Sequence, residues 1–139
     1  MYTAKNYEHL LGTAGFSDAL LKNHFTLYEG YVKNTNTLVE TLRSEKHAAG
    51  TAEFNELTRR FGWEWNGMRL HELYFGNMHK GGVPMSEDGE LKKVMNHLWK
   101  DVEGWKKDFV AVGGMRGIGW AVLSLDVEKN MVFNTWVNE

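Results

Sequence analysis

The chain has 139 residues, enough for one domain or for two small lobes sharing a core. Its 42% apolar content, with six Trp, seven Phe and five Tyr, supports a packed interior, and its net charge of −2 carries no basic footprint for nucleic acid. The absence of cysteine excludes a disulfide framework and any thiolate metal site.

The first strong pattern in chain order is a long amphipathic helix expected from Ser17 to about Ala49. Ser17 is a good N-cap, Asp18 suits the helix dipole in the first turn, and Phe16 and Leu21 occupy the positions of a hydrophobic staple. His24, Tyr28, Tyr31, Thr35, Leu38 and Leu42 then recur at steps of four and three, one stripe of a helix. Gly50 reads as the residue that ends this helix and Thr51 as the N-cap of the next, so Ala49 to Thr51 is a tight reversal.

A second helix is expected from about Ala52 to Met78, with the stripe Leu57, Phe61, Glu64, Met68, His71, Phe75 and Met78. Gly67 lies inside it at a cost of roughly 1 kcal/mol against Ala, which calls for a packing or ligand reason. Two long helices joined by a short turn form an antiparallel hairpin.

His79 to Gly89, with three further landmarks in Gly81, Gly82 and Pro84, is the clearest linker. Helices are expected from Glu90 to Trp99 and from Val102 to about Val110. Trp120 to Asp126 and Met131 to Val137 then read as a β-hairpin around Glu128, Lys129 and Asn130. The expected fold class is α+β: a long antiparallel helical hairpin (residues 1–80), followed by a small α/β lobe (81–139) with a truncated antiparallel sheet.

The hairpin gives two of the six histidines a special place. His24 lies 24 residues before Ala48 and His71 lies 23 after it. In antiparallel helices both then stand at one level, roughly 35 Å from the turn. Both are on stripes that face each other, and neutral imidazole is a good ligand for Fe, Mn, Zn or Cu, so a two-histidine metal site is one reading. Periodicity alone leaves open the other, two hydrogen-bonded core histidines without a metal.

Longer matches add to this. Phe16 to Leu38, FSDALLKNHFTLYEGYVKNTNTL, resembles the first long helix of iron/manganese superoxide dismutases, with His24, the pair Tyr31-Val32, and Asn34 and Asn36. Leu70 to Phe75, LHELYF, is similar to the second ligand helix of that family, through His71, Tyr74 and Phe75. Trp105 to Phe109 and Gly117-Ile-Gly-Trp120 look like its later helix and the approach to its sheet. The four matches come in the family order.

The resemblance implies one iron or manganese ion per chain, with His24 and His71 as ligands. It implies superoxide as substrate, Tyr31 as the catalytic gateway tyrosine, and Tyr74, Phe75, Trp120 and Gly67 as lining. Gly67 stands where iron-type members place a glutamine, and glycine there is like manganese-type members. The His24 to Tyr31 spacing is one residue shorter than the family's. Family members continue to an Asp-x-x-x-His-type element that supplies two more ligands, and this sequence stops at Glu139 before it. Glu64 lies two helical turns from His71, Glu72 is expected to point off the stripe, and neither substitutes for that element. Asp126 is expected at the hairpin tip, and His79 and His97 on the surface.

The expected activity is antioxidant superoxide dismutation that needs the missing segment; the alternative is a non-catalytic helical assembly module derived from the fold. No membrane partner is expected, because no stretch approaches the ~20 apolar residues of a bilayer span. Met1 to Leu10 holds no signal-like apolar run, so a cytoplasmic setting is expected. A sheet of two strands is marginal alone, and the edge beside Val132 and Phe133 is expected to pair, in a homo-oligomer or with another chain.

Overall fold

A computed structural model describes residues 1–44, 46 and 48–138. The chain divides into two compact units, Met1–Val83 and Pro84–Glu139.

The first unit is built on helices α1 (Asp18–Arg43) and α2 (Ala52–Gly76). Ser17 caps α1 as its sequence predicts: its Oγ accepts the Leu20 N–H at 3.1 Å, and Phe16 packs against the core that contains Leu21. Thr51 does the same for α2, its Oγ1 accepting the Phe54 N–H at 3.2 Å. Gly50 before it has φ +83°, a left-handed conformation that costs glycine little. Helix α1 is shorter than expected. It ends at Arg43 rather than near Ala49, because the Ser44 N–H and Oγ both turn back onto the Thr41 carbonyl, at 3.2 and 2.7 Å. Residues 45 and 47 of that expected stretch lie outside the described residues.

The two helices pack along the stripes read from sequence. Leu21, Phe25, Tyr28 and Val32 from α1 meet Met68 and Phe75 from α2 in one buried cluster. Each such side chain contributes about 1.5–3 kcal/mol when fully buried. The cluster also holds Tyr7 and Leu10, from a segment with only a single 3-10 turn at Glu8–Leu10. Sequence periodicity has nothing to detect there, and the contribution of that segment to the core is visible only in the packing.

The second unit comprises α3 (Glu90–Trp99), α4 (Val102–Gly113), and strands β1 (Gly119–Asp126) and β2 (Met131–Asn138). Helix α4 runs one turn past the expected Val110, and it is closed by the Gly114 N–H donating to the Val110 carbonyl at 2.9 Å and the Met115 N–H to the Val112 carbonyl at 3.2 Å. The strands pair antiparallel with Trp120 opposite Val137 and Asp126 opposite Met131. The Asp126 carboxylate organises the turn by accepting the Glu128 and Lys129 N–H groups at 2.9 and 3.1 Å. Helix α4 is pinned to β2 through Trp105 Nε1 on Asn134 Oδ1 (3.1 Å) and Asn134 Nδ2 on Asp108 (2.6 Å). Leu125, Met131 and Phe133 remain exposed on this small sheet. Helices followed by a two-stranded antiparallel sheet give the α+β arrangement that the sequence predicts.

Candidate metal centre

His24 on α1 and His71 on α2 come together. Their ring centroids are 4.9 Å apart and the rings stand edge-on at 79°. His71 is 2% exposed, whereas His24 is half-buried. Phe75 lies edge-on to His24 at 5.0 Å and Tyr74 is 5.3 Å from it, so the pair sits in an aromatic surround.

The orientation of His71 is set by its own helix. Its Nδ1 lies 2.6 Å from the Gly67 carbonyl, one turn earlier. A carbonyl only accepts, so Nδ1 carries the proton and the ring lone pair is on Nε2. Burial lowers the His24 pKa below its ordinary 6.5, and the neighbouring His71 lowers it further. The neutral imidazole, which is the ligand form, is therefore the one favoured at neutral pH.

Tyr31 lies against His71, with centroids 5.1 Å apart. Its ring also accounts for the glycine inside α2. A Cβ at position 67 would stand 2.5 Å from both Cδ1 and Cε1 of Tyr31, and 2.9 Å from Cζ. Glycine at this position is thus a packing requirement of the tyrosine. Trp120 is the second residue of β1, in the second unit, and is half-buried there.

Two carboxylates flank the histidines, and one departs from its sequence reading. Glu64 is 2% exposed, ion-paired with Arg60 at 2.5 Å and accepting from Asn34 Nδ2 at 3.2 Å. Glu72, expected off the stripe, instead tucks against the seam with its side chain only 9% exposed. Its Oε1 accepts from the Tyr28 hydroxyl at 3.1 Å, and Oε2 accepts from Arg69 (2.7 Å) and Lys5 (3.1 Å). Its partners are Tyr28, 44 residues away on the α1 stripe, and Lys5, 67 residues away in the non-periodic N-terminal segment, distances over which Glu72's own position in α2 carries no signal. Asp126 is at the hairpin turn, and His79 and His97 are exposed, as read from the sequence.

Among the described residues no group of three or more His, Asp or Glu converges in a metal-binding arrangement. The donors brought together here are the two imidazoles. Centres of this kind use at least three protein ligands, so the described donor set is incomplete. No helix among the described residues is long and apolar enough to cross a membrane.

A helical hairpin with two imidazoles at its seam, joined to a small α/β unit, is the class of protein that these features define. The chain is 32% identical over 129 residues to the iron superoxide dismutase of Cupriavidus metallidurans, covering 90% of this chain and 64% of that protein. It is 31% identical over 117 residues to manganese superoxide dismutase 2 of Haloferax volcanii (84% of this chain, 58% of that protein). It is 30% identical over 122 residues to the iron superoxide dismutase of Aquifex pyrophilus (81% and 55%). The chain belongs to the iron/manganese superoxide dismutase family. It spans between 55% and 64% of the length of these three relatives. No family model matches the chain.

Proposed function

We propose that His24 and His71 are two of the ligands of a superoxide dismutase centre that holds one iron or manganese ion, its remaining donors coming from outside the described residues. The substrate is superoxide and the products are dioxygen and hydrogen peroxide. The observation that carries this reading is the meeting of two imidazoles from different helices at 4.9 Å, in a family whose relatives are named for iron and manganese dismutases.

The ion would supply the electron chemistry, alternating between trivalent and divalent states. The protein supplies orientation and enclosure. The Gly67 carbonyl holds His71 in the tautomer whose Nε2 can ligate. Phe75 and Tyr74 pack on His24 and limit the access of water to it. We assign Tyr31, beside His71, as the group that holds and relays a proton to the reduced product. A cytoplasmic antioxidant role and a homo-oligomer paired through the exposed edge at Phe133 belong to the same proposal.

Elemental analysis of the purified chain, with His71→Ala beside it, tests the centre. The expected result is about one iron or manganese per chain, lost in the variant. Tyr31→Phe is expected to keep the metal and lower superoxide turnover. Metal retained at full occupancy in His71→Ala counts against the proposal, and a wild-type chain that takes up neither metal is an incomplete centre that depends on the donors outside the described residues.

A further inference from the structure

The N-terminal segment crosses the hairpin without a helix or strand of its own before Glu8, yet it is held at defined points. The Tyr2 backbone donates to and accepts from the Asn36 amide, both at 2.8 Å. The Lys5 N–H donates to the Tyr28 hydroxyl oxygen at 3.0 Å, and Lys5 Nζ reaches Glu72 at 3.1 Å. The Tyr28 hydroxyl in turn donates to Glu72 at 3.1 Å. One carboxylate, adjacent in sequence to His71, thus gathers α1, α2 and the N-terminal segment.

We propose that Glu72 is a positioning residue for the His24–His71 pair, acting through Tyr28, Lys5 and the wall that the N-terminal segment forms. The assignment rests on the reading of that pair given above. The path is short and continuous. Two residues after Lys5, Tyr7 is 8% exposed, with its ring 4.8 Å from Phe75 and 5.6 Å from Tyr28. Phe75 is fully buried and lies edge-on to His24 at 5.0 Å. In a close-packed interior, a ring that loses its backing moves its neighbours. Releasing Lys5 therefore frees Tyr7, then Phe75, and then the half-buried His24.

The outer ion pairs are not the reason to keep this carboxylate. Lys5 and Arg69 are 59% and 49% exposed, and pairs of that kind contribute little. What Glu72 adds is registry: it fixes the Tyr28 hydroxyl, which is also the acceptor for the Lys5 N–H. Ligand imidazoles need such outer contacts to hold their orientation.

The test uses the metal-free full chain, so that a failure of the dismutase reading leaves it intact. Glu72→Met keeps the side-chain bulk and removes both acceptors. Amide exchange is followed at Lys5 to Tyr7 and at Val32 to Leu38, together with the imidazole nitrogen resonances of His24 and His71. The expected result is exchange about tenfold faster at Lys5 to Tyr7, with the central α1 amides unchanged and the His24 resonances displaced. Glu72→Gln, which keeps an acceptor for Tyr28, is expected to restore part of both. Should Glu72→Met fail to fold, Tyr28→Phe cuts the same link while keeping the ring in the core, and the same readouts apply. Faster exchange with unmoved imidazole resonances, or unchanged exchange, overturns the proposal.

Discussion

Gly67→Ala isolates the contact between Tyr31 and the second helix. Replacing a mid-helix glycine with alanine normally gains about 1 kcal/mol, because the backbone has less freedom to lose. Here the new Cβ meets three ring atoms of Tyr31 at 2.5, 2.5 and 2.9 Å. Carbon atoms pack at about 3.5–4.0 Å, so the ring or the helix must give by about 1 Å. Overpacking of this kind costs about 1–3 kcal/mol, and conflict with a rigid ring at three atoms belongs at the upper end. The net expectation is a loss of about 1–2 kcal/mol, or about 3–8 °C in Tm for a chain of this size. Gly62 is an internal control on the same helix, since a Cβ there meets nothing within 4 Å. Gly62→Ala should stabilise by about the propensity difference of 1 kcal/mol. Urea unfolding of both variants decides the matter, and combining Gly67→Ala with Tyr31→Ala should recover most of the loss. If Gly67→Ala stabilises as much as Gly62→Ala, the Tyr31 ring does not cover position 67 and the account of this glycine is refuted.

The Glu72 cluster gives the fold a dependence on pH at both ends. Burial alone would raise the Glu72 carboxyl, but hydrogen bonds from Lys5, Tyr28 and Arg69, with the Lys5 charge, hold it below its ordinary 4.5. A depressed carboxyl contributes stability that is complete above 4.5 and is lost as pH falls through the folded-state value. Urea unfolding in a descending pH series should show that loss, and Glu72→Gln should be flatter in the same window; equal slopes would refute it. At the other end, burial pushes Tyr28 up to about 12, against the Lys5 N–H, which lowers it, and with the Glu72 charge, which raises it. Its contribution is present below 10.0 and fades as pH rises toward about 12. Tyrosinate absorbance should therefore show a late-titrating tyrosine that ionises earlier in Glu72→Gln.

Local chemistry made much of the fold legible. Ser17 and Thr51 are caps whose hydroxyls accept an N–H three residues on, and that bond involves only neighbours in the chain. The paired stripes of α1 and α2 and the single reversal at Gly50 were enough to bring His24 and His71 to one level, because helical rise is constant. The β-hairpin was readable for the same reason, since its turn is organised by Asp126 and two nearby N–H groups. The ends of α1 and α4 were less so: a Ser44 that bonds back to Thr41 and a glycine pair after Val112 each admit two endings.

The sequence by itself determined the elements, their pairing and the two histidines, because caps, periodicity and turn length are properties of short stretches of chain. Only the tertiary structure decided why position 67 is glycine, since the Tyr31 ring that needs the space lies 36 residues away on the other helix. It also decided that Glu72 faces inward, because its partners Tyr28 and Lys5 are 44 and 67 residues distant. Tyr7 and Leu10 entered the core through the same long-range contacts. A segment without a repeating pattern carries no record of the surface that it will cover, and packing supplies that information once the hairpin has formed.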